Sequence, residues 1–160
     1  MFERLLDVLQ NVQELSVQRI AVEIWAQSEV QQYILDLNRI EQLFERGVNA
    51  DERVIGYYSE VTQALSAGQT FSYEGHSYQK IAGEPYTLLD TSYFYRSFRV
   101  ILTDEGFKIY ADDEKDGEYL TERYGEKILG LTQENKNQLA RHILNRVIEL
   151  VRAKIFTPIS

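Results

Sequence analysis

The first 47 residues carry apolar side chains at the spacing of α-helices. The first stripe repeats every three or four residues and consists of Phe2, Leu5, Leu9 and Val12, with Leu6 beside it. A second helical stretch starts at about Val17 and carries Ile20, Ala21, Ile24 and Trp25. Because a period near 3.6 brings such residues to one face, both stretches are predicted to be amphipathic helices.

A third helix is predicted between Ser28 and Gly47. Ser28 has the character of an N-cap because Gln31 follows at capping-box spacing, so a break is expected near Gln27. The side predicted to be buried consists of Ile34, Leu37 and Phe44, flanked by Tyr33, Ile40 and Leu43. Gly47 stands where a left-handed C′ residue would end the helix.

Periodicity fades between residues 48 and 90, where turn-forming residues accumulate. These residues are Gly56, Ser59, Gly68, Gly75, Gly83 and Pro85. Only the stretch 61–65 has the pattern of a short helix. We therefore predict a long irregular loop, which in a compact domain is typical of a functional segment or of an arm that orders on assembly.

Two runs with a period of two follow this loop and predict a β-hairpin. The inward positions of the two runs are Phe98, Val100 and Leu102, then Phe107, Ile109 and Ala111. Asp104, Glu105 and Gly106 join them, and Gly106 is able to take a positive φ.

The last part of the chain predicts a long helix behind an acidic link. After the link at 112–118, Thr132 is expected to cap a helix that extends to about residue 156. Its apolar stripe consists of Leu139, Ile143, Val147, Leu150 and Val151.

Together the elements predict one α+β domain over residues 1–160. N-terminal helices (1–47) and the long C-terminal helix (132–156) are expected to pack on a small antiparallel sheet. The sheet contains the central hairpin (91–131), and the long irregular loop (48–90) lies beside it. A hydrophobic content of 44% in 160 residues is sufficient for one core.

The composition indicates in which cellular compartment the chain folds and whether it enters a membrane. The chain contains no cysteine, so it has neither disulfides nor thiolate metal ligands, and we expect folding in a cytoplasm. The N-terminal pattern lacks the basic and apolar regions of a signal peptide. No run of about 18 apolar residues occurs, so we expect no membrane insertion.

Charge is distributed unevenly along the chain. The net charge of −8 argues against sequence-specific binding of nucleic acid, which depends on neutralising phosphates. From Gln133 onwards the local charge is +3, whereas the preceding 132 residues carry −11. This asymmetry suits head-to-tail pairing between copies, although a basic helix end is also favoured by its own dipole.

Catalytic chemistry has few candidates in this sequence. The two histidines, His76 and His142, have no partner histidine at metal-binding spacing. The run that starts at Asp112 resembles a calcium loop, but its twelfth position is Arg123 instead of a glutamate. Phosphate-binding glycine motifs are absent, and no acid and base pair stands out. We therefore expect no enzymatic activity, no cofactor and no metal.

Short motifs in a fixed order carry a resemblance to a known group of proteins. They are Asp36-Leu37-Asn38, Gln42-Leu43, Gly47, Gly56-Tyr57-Tyr58-Ser59 with Thr62, Leu88 to Ser92 with Phe94-Tyr95 and Ser97-Phe98, Glu122 to Gly125, and Ile128 to Thr132. In this order they resemble small virion proteins of tailed phages and prophages, especially those of Bacteroidota hosts. The central block is similar to neck, tail-completion or head-tail connector families, in which glycine usually stands where this chain has Ser92.

The resemblance implies a structural virion protein, made in the host cytoplasm, that assembles as a ring with neighbouring connector and tail proteins. An acidic channel through such a ring would let DNA pass without binding it. The candidate subunit contacts are Tyr57, Tyr58, Tyr93, Tyr95, Arg123 and Tyr124. Each of these residues also has an internal interpretation, as a core aromatic or as part of an internal ion pair. The alternative function is a prophage-encoded adaptor or regulatory protein that binds a host partner.

Overall fold

The computed structural model describes residues 2–13 and 17–156, and four helical segments open the fold. These are α1 (Phe2–Gln13), α2 (Val17–Trp25), α3 (Ser28–Asp36) and a π-helix (Leu37–Arg46) that continues α3 without a break. The break near Gln27 is confirmed. However, Gln27 itself is the extended N-cap residue, so Ser28 belongs to the helix and is not its cap. The side chain of Phe2 lies outside the described part.

The π-helix forms the centre of the molecule. Its wide turn buries most of its side chains, namely Leu37, Asn38, Arg39, Ile40, Gln42 and Leu43. It ends at Gly47, whose φ of 60° is left-handed and whose amide donates to the carbonyl of Gln42, as the sequence predicts. A π-helix of this length is rare, and such segments often lie at functional sites.

The region predicted as a long irregular loop contains regular structure, so that prediction is wrong in part. Ser59 caps α4 (Glu60–Leu65), which confirms the short helix. An antiparallel hairpin follows, formed by β1 (Phe71–Tyr73) and β2 (His76–Tyr78). The turn between its strands places Gly75 at a φ of 82°.

The central hairpin is confirmed as β3 (Arg99–Thr103) and β4 (Gly106–Tyr110). Arg99 pairs with Tyr110 and Thr103 with Gly106, so Asp104 and Glu105 form a two-residue turn. The hairpin packs against the N-terminal helices, and the ring of Phe107 meets the edge of Trp25 at 5.1 Å.

The acidic link forms a third hairpin, β5 (Glu114–Lys115) and β6 (Glu118–Tyr119), followed directly by α6 (Leu120–Tyr124). The three hairpins do not join in the described ranges, so three two-stranded sheets replace the single small sheet of the prediction. A short 3₁₀ turn (Glu126–Ile128) leads to the last helix.

The long C-terminal helix, α7 (Gln133–Phe156), confirms the predicted element and its cap. The amide of Asn135 donates to the hydroxyl of Thr132 at 3.1 Å. The helix runs antiparallel to α2 and α3, as ion pairs from Arg146 to Glu29 and from Lys154 to Glu23 demonstrate. Helices packed on small antiparallel hairpins make the fold α+β, as predicted.

Candidate functional site

A groove of about 460 Å³ lies between the segment 88–94 and the third hairpin with α6. Aromatic and aliphatic side chains form much of its wall, including Tyr86, Leu88, Tyr93, Tyr119, Leu120 and Tyr124. Charged side chains stand among them, namely Lys80, Asp90, Glu114, Lys115, Asp116, Glu118 and Arg123. A concave surface that mixes aromatic rings with charges is suited to binding, so this groove is the candidate site.

Three tyrosine hydroxyls fix the floor of the groove, and we name the buried Tyr58 and Tyr95 and the half-buried Tyr78 the tyrosine clamp. The hydroxyl of Tyr95 donates to the carbonyl of Thr87, and that of Tyr78 donates to the carbonyl of Leu89. The hydroxyl of Tyr58 accepts the amide of Thr87 at 3.2 Å and lies 3.0 Å from that of Tyr78. The clamp therefore holds the backbone on both sides of Leu88.

Leu88 itself has a left-handed backbone, with a φ of 58°. Such a conformation costs a residue with a Cβ about 1 kcal/mol or more, so its neighbours must stabilise it. The hydrogen bonds of the clamp supply part of that stabilisation, because they hold the carbonyls of Thr87 and Leu89 on either side of Leu88. The amide of Leu89 is held in addition by the hydroxyl of Thr87 at 3.2 Å. The side chain of Leu88 is thereby held at the groove wall.

Burial also raises the pKa of two clamp hydroxyls, those of Tyr78 and Tyr95. The pKa of Tyr95 lies well above its ordinary value, first because of burial and then because of the neighbouring tyrosines. Burial is likewise the main reason that the pKa of Tyr78 is raised. Tyr78 and Tyr95 are therefore neutral hydrogen-bond donors at physiological pH and are not bases.

The short helix α5 (Tyr93–Arg96) forms one rim of the groove. Its first amide, that of Tyr93, approaches the hydroxyl of Thr91 at 3.5 Å. Ser92 makes no side-chain cap. Ser92 instead has a φ of 62°, a conformation that glycine adopts without strain.

Asp90 links two lysines across the groove. Its carboxylate pairs with Lys80 at 3.1 Å through one oxygen and with Lys115 through the other. Partial burial acts to raise the pKa of Asp90. The hydrogen bonds and charges of Lys115 and Lys80 outweigh this effect, so the pKa lies below its usual value. The pair with Lys115 ties the third hairpin to the floor.

The opposite rim consists of the third hairpin and α6. The carboxylate of Asp113 accepts from both the amide and the hydroxyl of Thr121, which holds the start of α6. Arg123 pairs with Glu118 at 3.5 Å and lies over the ring of Tyr124 at 5.5 Å. Burial raises the pKa of Tyr124. The predicted internal ion pair of Arg123 is thus present on this rim.

A buried polar network connects the π-helix to the segment after α6. The amide nitrogen of Asn38 donates to the carbonyl of Ile128 at 3.1 Å, and that of Gln42 donates to Gly130 at 2.8 Å. The side-chain oxygen of Gln42 accepts from the amide of Thr132 and from the side chain of Asn135. These polar side chains specify how the two segments dock, because an unmatched polar atom in the interior is costly.

Two glycines allow the segment 84–87 to approach the end of the π-helix closely. A Cβ at Gly47 would lie 2.8 Å from the carbonyl oxygen of Tyr86 and would also collide with Pro85. A Cβ at Gly56 would collide with the ring of Tyr86, whose amide donates to the carbonyl of Gly56 at 2.8 Å. The glycines thereby position the start of the groove floor.

The structure separates the six predicted contact residues into two groups. Tyr58, Tyr93, Arg123 and Tyr124 border the groove, whereas Tyr57 and Tyr95 are not among its lining residues. Tyr58 and Tyr95 are 8% and 0% exposed, so both are corrected from contact residues to members of the clamp. Tyr57 and Tyr93 are 56% and 60% exposed and remain available to a neighbour.

The prediction also missed groove residues. Lys80 and Tyr119 contribute to the groove without a recognisable local motif, because distant segments bring them together. Asp90 lies in one of the resemblance motifs but is not among the predicted contact residues. The dipeptide Asp116-Gly117 is a turn signal that could have identified the third hairpin, since Asp-Gly favours tight hairpin turns.

Both histidines pack against aromatic rings outside the groove. His76 meets Phe44 edge to face at 5.3 Å, and His142 stacks on Tyr33 at 4.0 Å. Within residues 2–13 and 17–156, no group of three or more metal-ligating side chains is placed to hold an ion. In the same ranges, no helix combines the length and the apolar character needed to cross a membrane.

The chain matches no protein-family model, no curated protein and no solved structure.

Proposed function

We propose that this protein is a structural component of a tailed-phage virion, at the neck or tail-completion position. Copies of the chain form a ring there, in contact with neighbouring connector and tail proteins. The protein acts by assembly and not by catalysis, and its fold serves to present surfaces to other subunits.

The observation that carries this proposal is that residues from different motifs of the resemblance contact one another in the folded chain. Asn38 bonds to Ile128, and Gln42 bonds to Gly130 and Thr132, across about 90 positions of sequence. Gly47 and Gly56 both pack closely against the segment 84–87, which directly precedes the motif Leu88 to Ser92. Short motifs that arose by chance have no reason to interlock, whereas motifs that encode a shared framework must do so.

A second observation supports an assembly role. The apolar stripe of α1, which a monomer would be expected to bury, is about half exposed along its length. Its members are Leu5, Leu6, Leu9 and Val12. Contiguous exposed apolar side chains are typical of surfaces that another molecule covers.

The arrangement of charge fits a ring through which DNA passes. A net charge of −8 repels phosphate, so an acidic lumen would not retain the DNA. Ring closure requires contacts between two different faces of the subunit, and the uneven charge supplies complementary faces.

Deletion of the gene from an inducible prophage tests the proposal. We expect DNA-filled heads and separate tails in electron micrographs, a loss of infectious particles, and restoration by the wild-type gene supplied from a plasmid. Mass spectrometry of purified wild-type particles should detect the chain. Normal particle yield without the gene, together with absence of the chain from particles, would refute the virion role and favour the adaptor alternative.

A further inference from the structure

The outer face of α7 combines exposed apolar side chains with basic side chains that form no ion pair in the described part of the chain. Arg141, Leu144, Ile148 and Arg152 are all exposed and follow one another at intervals of three or four residues. At 100° per residue they fall on one side of the helix and span about 16 Å along its axis. We name these four residues the α7 strip.

Two basic residues on the other faces of α7 are used inside the molecule. Arg146 pairs with Glu29, and Lys154 pairs with Glu23. By contrast, neither Arg141 nor Arg152 forms an ion pair within residues 2–13 and 17–156. The strip therefore presents two uncompensated positive charges beside two exposed aliphatic side chains.

The groove presents the complementary set of groups. The rim formed by the third hairpin and α6 lies in the segment 112–126, which contains seven acidic and two basic residues. The two basic residues are already paired, Lys115 with Asp90 and Arg123 with Glu118. Glu114 and Asp116 line the groove without an ion pair to any described residue.

Exposed aromatic rings accompany these carboxylates. Tyr93 and Tyr119 stand on opposite rims with about half of their surface in solvent. Tyrosine rings bind both aliphatic side chains and guanidinium groups. The groove thus offers apolar contact to Leu144 and Ile148, together with charge pairing to the two free arginines.

We infer that the groove of one copy receives the α7 strip of the next copy. The groove contains no residue of α7, so the contact joins two different faces and is heterologous. Repetition of such a contact closes a ring when the rotation allows. This inference rests on the proposed function and specifies how its ring is made.

Charge reversal on each face tests the contact. One variant carries Arg141→Glu and Arg152→Glu, and the other carries Glu114→Lys and Asp116→Asn, because asparagine tolerates the left-handed φ of 54° at that position. Sedimentation velocity at increasing concentration should show roughly tenfold weaker self-association for each variant alone, since like charges then face each other. An equimolar mixture of the two variants should associate again.

A control matched to the arginine variant changes the charge by the same amount elsewhere. The exposed residues Arg53 and Lys108 belong to neither face, so Arg53→Glu with Lys108→Glu should leave self-association unchanged. Thermal unfolding of every variant establishes that the fold is intact. A photo-crosslinking amino acid at Tyr119 should capture peptides from 141–152 of another copy.

The inference is overturned if the wild-type chain stays monomeric at millimolar concentration, or if the variants associate as well as the wild type. Crosslinks from position 119 to a segment other than α7 would also overturn it. Failure of the proposed function gives a different pattern, namely association through these two faces by a protein that is missing from purified particles.

Discussion

Two pairs of neighbouring tyrosines show how one residue type serves two purposes in this molecule. Tyr58 and Tyr95 are buried members of the clamp, whereas Tyr57 and Tyr93, one and two positions away, are exposed. The buried hydroxyls each meet a polar partner and hold the groove floor. The exposed rings have no such role in the fold, so they are free to contact another molecule. In this region, therefore, the buried tyrosines stabilise the fold, and the exposed tyrosines can contact another molecule.

The floor and the rim of the groove differ in the same way. The floor depends on buried hydrogen bonds, which are costly to break because the remaining partner is left unpaired. The rim depends on exposed charges, whose pairs contribute little to stability. Substitutions in the floor should consequently reduce stability, and substitutions in the rim should alter association alone.

The largest expected effect on the free energy of unfolding is the difference between substitutions of Tyr95 and Tyr93, the two tyrosines of α5. Tyr95→Ala should lower the free energy of unfolding by about 4 kcal/mol, because it empties a fully buried site and leaves the carbonyl of Thr87 unpaired. Tyr93→Ala should change it by less than about 0.5 kcal/mol. Urea unfolding measures both values. Equal losses for the two variants would contradict the division between clamp and rim.

The next effect concerns the close approach at the end of the π-helix. Gly47→Ala should destabilise the chain by about 3 kcal/mol, since the position is left-handed and the added Cβ meets Pro85 and the Tyr86 carbonyl. Gly117→Ala is the control, because that position has a φ of 83° but open space around it, so its cost should be about 1 kcal/mol. A similar cost at both glycines, measured by chemical denaturation, would show that the contact with the segment 84–87 is unimportant.

A smaller loss of stability is expected at acidic pH. The folded-state pKa of Asp90 lies below its unfolded value of about 3.9, so its contribution is complete above that pH and is lost as the pH falls through the folded-state pKa. Solvent screens this half-buried group, so the loss should be only about 1 kcal/mol. Asp90→Asn should remove this part of the acid dependence when unfolding midpoints are compared between pH 7 and pH 3. An identical pH profile in the variant would exclude the role of the two lysine pairs.

The smallest expected effect is an increase in stability. Ser92→Gly should stabilise the chain by about 0.5 kcal/mol, because glycine adopts the φ of 62° without strain and the serine side chain makes no cap. Thr91→Gly should instead destabilise it, since the Thr91 hydroxyl faces the first amide of α5. Thermal unfolding of the two variants distinguishes them, and a loss of stability in Ser92→Gly would show that the serine hydroxyl has a structural partner.

Helices and the central hairpin could be predicted from the sequence because their signals are local. The stripe of α7, the cap at Thr132 and the left-handed Gly47 each depend on a few adjacent residues. The hairpin at 71–78 was missed, although Phe71, Tyr73, His76 and Tyr78 alternate around a Glu-Gly turn. The surrounding stretch is rich in glycine, so its turn signals mask this one.

The groove could be predicted only in part because it depends on contacts between distant segments. Tyr93 and Tyr95 are both predicted contact residues, yet residues two apart on a helix point in nearly opposite directions. That spacing alone indicates that one of them faces inward. The tie from Asp90 to Lys115, in contrast, crosses 25 positions and has no local signal.

Cryo-electron microscopy of purified particles tests the central claim, assembly through surfaces, most directly. We predict a closed ring of this chain between the head connector and the tail, with the groove of each copy occupied by the α7 strip of its neighbour. Complete particles whose head-tail junction contains no density for this chain would contradict the account.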